Sequence, residues 1–263
     1  MKNSFLVMYI TGFLQAAKML LEYPYIDKLW DSLDLSNTPK VDKYLVKGFV
    51  LIGLVVGCIG SLILWFFTLL ISNKVGVFLG GIVLFLILSL KDKFSGLITF
   101  ANYLSLRFTG NSHSNSWQII NNGNNFDNNQ FYGATLGFLI LIKAIGCFII
   151  VGKGCEFMLI PLLMINYFAQ GFFASCRSLN EKAFFYLELH DLENYCIFSA
   201  VLLFIGVHFN FVIWLFGLFV FGLIYWGVYK SSSQNNKFCV NTLNLIGEVS
   251  EVILLIIFSL YLI

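Results

Sequence analysis

The stretch GFVLIGLVVGCIGSLILWFFTLLIS, residues 48–72, carries no charged side chain over 25 positions. Coiled as an α-helix at about 1.5 Å per residue, it is long enough to cross the roughly 30 Å of hydrocarbon in a bilayer. Similar runs recur on either side of it. Residues 76–90 form a second, shorter span, closed by Lys91, Asp92 and Lys93. Residues 133–152 and 155–175 form a third and a fourth. The apolar stretch 195–229 is too long for one crossing, and His208 and Asn210 near its middle mark a turn between two spans. A polar tract at 230–237 precedes a last span at 242–263. Toward the N-terminus, residues 5–20 are apolar but short and are interrupted by Gln15 and Lys18, which fits an interfacial amphipathic helix. The expected fold is therefore all-α: a polytopic transmembrane helical bundle of about seven spans plus an N-terminal interfacial helix, forming one integral membrane domain over residues 1–263.

Composition agrees. Hydrophobic residues make up 59% of the chain and charged residues 11%, against about 25% charged in ordinary soluble domains. The polar material gathers in four segments, 22–47, 91–132, 176–193 and 230–241. Within the second of these, residues 93–108 are semi-apolar and suit a re-entrant or surface helix. Residues 109–130, rich in Asn, Ser and Gly, cannot bury much apolar area and read as a loop. A net charge of +2 without a basic cluster gives no reason to expect nucleic acid as a partner. The expected partner is the lipid bilayer, and a homo-oligomer is compatible with it.

Cys58, Cys147, Cys155, Cys176, Cys196 and Cys239 include no C-x-x-C pair and lie in or beside apolar runs. They read as small buried hydrophobes rather than zinc or iron–sulfur ligands. The apolar start with Lys2 is similar to a signal peptide. Lys18 and Glu22 follow it without a small-residue cleavage pattern, so it is assigned to the mature chain.

Lys and Arg placement sets the orientation. With the N-terminus inside, thirteen basic residues fall on the cytoplasmic side, only Lys74 and Lys153 fall outside, and Lys143 lies within a span. The expected location is the inner membrane of a bacterial cell, N-terminus cytoplasmic.

An ionisable residue inside a membrane is costly and raises the question of function by default. Lys143 sits in the third span, where it either snorkels, pairs structurally or serves a site. Glu248 and Glu251 stand at i and i+3 on the last span, which puts both carboxylates on one helix face. That pair suits a divalent cation that could hold a phosphate, or two acids paired with lysines. The segment from Asp92 to Asn102 is polar enough to line a cytoplasmic site. His113, His190 and His208 show no metal-site spacing, and there is no Walker loop, G-x-G-x-x-G or G-x-S-x-G.

In order, these features resemble the cobalamin synthase family, the adenosylcobinamide-GDP ribazoletransferases. LIGLVVGCIGSLILW, residues 51–65, is similar to the family's first Gly-spaced span. FSGLITFANY, residues 94–103, takes the place of its motif L-D-G-L-x-D-x-x-D-G: Gly96 and Leu97 match, while Ser95, Thr99 and Asn102 stand at the aspartate positions. FDNNQFYGATLGFLILIKA, residues 126–144, follows the course of D-S-R-x-G-T-x-G, with Asp127, Tyr132 and Gly133 aligned and Lys143 where the family often has lysine. Ala169 and Gln170 stand in place of a Ser-Arg pair. CVNTLNLIGEVSEVILL, residues 239–255, matches the family's C-terminal stretch best, through Thr242, Leu243, Glu248 and Glu251, with Asn241 in place of an aspartate.

The resemblance implies a late step of cobalamin (vitamin B12) biosynthesis. Adenosylcobinamide-GDP is joined to α-ribazole or its 5′-phosphate, GMP is released, and Mg²⁺ is used. Carried over position by position, it implies Glu248, Glu251, Asp127 and Asn241 as catalytic residues. Ser95, Thr99, Asn102, Lys143 and Thr242 would line the substrates, and Glu248, Glu251 and Asp92 would hold the metal. Two other classes compete with it. One is a homologue that kept the fold without catalysis, as a membrane partner protein. The other is a small transporter, for which internal repeat symmetry is expected and none is evident.

Overall fold

The computed structural model describes residues 5–21, 42–70, 74–91, 93–112, 115–116, 119–120, 131–175, 189–206 and 240–263. Among them the regular structure is all helical, with no strand. The helices are α1 (Phe5–Leu21), α2 (Asp42–Leu70), α3 (Lys74–Leu90), α4 (Ser95–Phe108), α5 (Tyr132–Gly152), α6 (Leu159–Ser175), α7 (Leu189–Gly206) and α8 (Val240–Leu262). A single 3₁₀ turn, Glu156–Met158, leads into α6.

Among the described residues four helical segments are long and apolar enough to cross a membrane: Tyr44–Leu69, Tyr132–Gly152, Glu156–Phe173 and Leu243–Leu262. They coincide with the expected spans at 48–72, 133–152, 155–175 and 242–263. Val75–Leu90 and Ser95–Phe108, bent by 80° at the break between them, make a fifth if taken as one. The described residues thus account for four or five of the expected crossings. α7 covers the start of the stretch 195–229, and the rest of that stretch lies outside the described residues. Large apolar side chains line the outside of the bundle, among them Trp65, Phe66, Phe78, Phe138 and Leu141. Exposed apolar surface on that scale is compatible with a lipid environment.

In a lipid environment, where the chains are as apolar as leucine, helices of this kind would associate through close backbone packing rather than the hydrophobic effect. α2 shows how. A glycine inside a helix costs roughly 0.5–1 kcal/mol relative to alanine, yet α2 carries several. A Cβ on Gly53 would lie 2.7 Å from the Leu163 carbonyl oxygen and 2.8 Å from Met164 Cα; one on Gly57 would lie 2.8 Å from Ile160 Cα. The backbone of α6 rests directly on these two positions. Gly48 is five residues before Gly53, about 140° around the helix. It faces α1 instead: a Cβ there would lie 2.7 Å from the Gly12 carbonyl oxygen. α2 is therefore clasped between α1 and α6.

Around that clasp lies the main core, which includes Phe49, Leu163, Met164, Phe173, Leu254 and Phe258. α7 joins it through Tyr195, whose hydroxyl donates to the Phe168 carbonyl at 3.1 Å. α8 reaches α4, α5 and α6 together, so any polar residue on its inner faces is placed where several helices meet. α1, expected to be interfacial, buries Thr11, Leu14, Ala16, Ala17 and Leu20 and leaves Val7 and Ile10 exposed.

Candidate functional site

Gly247 allows α8 to approach α6: a Cβ there would come within 2.9 Å of Gln170 Cδ and 3.4 Å of Asn166 Oδ1. The next turn of α8 then delivers Glu248, Ser250 and Glu251 into the interior, each 1% exposed or less. Lys143 comes from the middle of α5, 0% exposed, too far inside to snorkel. Its Nζ lies 2.8 Å from Glu248 Oε1 and 2.6 Å from Glu251 Oε1. Lys91, just past the end of α3, places its Nζ 3.0 Å from Glu251 Oε2. Two ammonium groups and two carboxylates sum to zero charge. Removing any one of them would leave an uncompensated charge in the interior.

An amide network fixes the carboxylate of Glu251. Asn166 Oδ1 accepts from Gln170 Nε2 at 3.0 Å. The Ser250 hydroxyl, 2.9 Å away, shares its single proton between that oxygen and the Gly247 carbonyl at 2.8 Å. With its oxygen so engaged, Asn166 turns its Nδ2 to Glu251 and donates to Oε2 at 3.3 Å. Asn166 and Gln170 are one helical turn apart on α6, which gives them a common face. Lys91 Nζ also sits 5.9 Å from the Tyr167 ring centroid, a cation–π contact.

A strained turn lies just past Lys91. Lys93 and Phe94 have φ of 53° and 66°, left-handed values that cost a non-glycine residue on the order of 1 kcal/mol or more. The turn is tied by the Phe94 N–H donating to the Ser89 carbonyl at 2.8 Å and the Lys93 N–H to Leu90 at 3.1 Å. α4 begins directly after it, with Phe94 as an N-cap that offers no side-chain bond.

The sequence-derived candidates divide clearly. Lys143, Glu248 and Glu251 meet. Ser95, Thr99 and Asn102 lie on α4, and none of them bonds to that cluster among the described residues. The Thr99 hydroxyl donates to the Ser95 carbonyl at 2.7 Å, while Ser95 Oγ and Asn102 Oδ1 are buried without a hydrogen-bond partner among the described residues. α4 packs on α8 through apolar side chains, Leu106 against Leu245 and their neighbours. Asp92 and Asp127 lie outside the described residues, as do the side chains of Asn241 and Thr242. Lys91, Asn166 and Ser250 belong to the cluster although the sequence did not single them out. A charge count held a clue to Lys91: two acids in one span against one intramembrane lysine call for a second cation.

The expected Mg²⁺ does not fit Glu248 and Glu251 as they stand. Both oxygens of Glu251 and Oε1 of Glu248 lie within 3.0 Å of an ammonium nitrogen, and Mg²⁺ demands a near-octahedral set of free oxygens at about 2.0–2.1 Å. Among the described residues no group of three or more His, Cys, Asp or Glu is placed to hold a metal ion. No protein-family model, curated protein or solved structure matches this chain.

Proposed function

We propose that this chain is a divergent membrane transferase of the cobalamin synthase type. In that reading it joins adenosylcobinamide-GDP to α-ribazole or its 5′-phosphate, with release of GMP, at the cytoplasmic face of a bacterial inner membrane. It has about seven spans and an N-terminus inside. One observation carries the reading: Lys143 and Glu248, singled out by the resemblance and 105 residues apart, pair at 2.8 Å with Glu251 beside them. Buried charges in apolar surroundings must pair in any bundle; what supports the reading is that these are also the positions the family pattern picks out. The described residues supply fixed positive charge at that centre, through Lys91 and Lys143. Mg²⁺, which the resemblance implies, would have to be held by other groups, and no step is derived through it.

A second reading has its own observation in favour. The aspartate positions are Ser95, Thr99 and Asn102, and Glu248 and Glu251 are neutralised by lysines. Neutral oxygens bind Mg²⁺ far more weakly than carboxylates. A homologue that keeps the bundle as a membrane partner protein, without catalysis, would look like this.

One experiment separates the two. The full chain in nanodiscs is incubated with adenosylcobinamide-GDP, α-ribazole and Mg²⁺, and the ligated cobalamin product and GMP are followed by chromatography. Product above a lipid-only control supports the transferase. Folded protein that gives none refutes it and leaves the non-catalytic reading.

A further inference from the structure

Carboxylates at i and i+3 on one helix commonly share a cation, and here that position is filled by the protein itself. We infer that Lys91 is a built-in counter-cation that, with Lys143, closes the Glu248–Glu251 pair to divalent metal ions. Three observations on different elements carry this. The charges already cancel, so an added divalent ion would leave two uncompensated positive charges in a buried place, at a prohibitive desolvation cost. Asn166 offers no oxygen to the pair: its Oδ1 is taken by Gln170 and Ser250, and it presents an N–H donor to Glu251, which opposes a cation. Lys91 is held in place rather than loosely present. Its side chain is 4% exposed, its N–H donates to the Ile87 carbonyl at 3.3 Å, and the strained Lys93–Phe94 turn follows immediately.

The inference holds whether or not the chain is a transferase, and its test reads binding rather than turnover. Mn²⁺ is titrated into the full chain in a zwitterionic detergent, and the free-ion signal is followed by electron paramagnetic resonance. The wild type is expected to leave that signal undiminished. K91M/K143M, which frees three carboxylate oxygens and two negative charges, is expected to take up one Mn²⁺ per chain, and K91M/K143M/E251Q to lose it. K91R, which keeps the cation, is expected to stay silent. A wild-type chain that binds Mn²⁺ and loses it on Glu251→Gln overturns the inference, and this arm needs no lysine variant. A folded K91M/K143M that still binds no Mn²⁺ also overturns it.

Discussion

Replacing Lys143 with methionine keeps most of the side-chain volume and removes one buried charge. Glu251 keeps Lys91 at 3.0 Å, but Glu248 loses its one ion-pair partner among the described residues, and the cluster goes from neutral to −1. Breaking a buried pair from one side costs about 3–5 kcal/mol, because the remaining charge stays buried. At roughly 2–4 °C per kcal/mol for a chain of this size, the melting temperature should fall by about 6–20 °C. Glu248→Gln alone leaves +1 and should fall by a similar amount. The double variant K143M/E248Q is neutral again and keeps the Lys91–Glu251 pair. Replacing a buried pair as a unit is often close to neutral, so it should recover most of the loss. The assay is thermal unfolding of purified protein in detergent, read by intrinsic fluorescence, with size-exclusion profiles to verify folding. The reasoning fails if K143M melts within a degree of wild type. It fails equally if the double variant is no more stable than either single one, since the loss would then come from packing rather than charge.

Gly53→Ala should destabilise by about 1–3 kcal/mol, since its Cβ would press on the backbone of Leu163 and Met164. Gly137→Ala, where a Cβ meets nothing within 4 Å, should be neutral or slightly stabilising in the same melt. The proposed orientation is tested with single-cysteine variants and a membrane-impermeant maleimide on intact cells. Cys155, in the turn between α5 and the 3₁₀ helix, should label from outside, and Cys239 only after lysis; the reverse result would invert the topology.

The helical bundle was legible because its signal is local. A charge-free run such as 48–72 has few options but a helix in a bilayer, since every backbone polar group must be satisfied within the segment. The glycines of α2 were legible as a spacing, but not which of them would face α1 and which α6. Lys143, Glu248 and Glu251 stood out for the same local reason, as charges in apolar surroundings. Their meeting was not legible, because it depends on how α5 and α8 pack. By sequence Lys91 is one of three charges closing a span, the usual mark of a membrane interface. The left-handed turn at Lys93 and Phe94 just past it has no glycine to announce it. Asn166 and Gln170 carried a fair signal that went unused: two amides at i and i+4 in an apolar span share a face, and a shared face wants a polar partner.

The cluster also has an order of arrival. Lys91 and Lys143 are synthesised before Glu248 and Glu251. At roughly 5–20 residues per second, the 105 residues between Lys143 and Glu248 take on the order of 5–20 s to make. For that interval the two lysines lack the two carboxylates that meet them in the finished bundle. α8 brings both carboxylates at once on a single helix face. It acts as the closing piece of assembly, so a chain stopped short of residue 248 would present Lys91 and Lys143 without the two carboxylates they meet here.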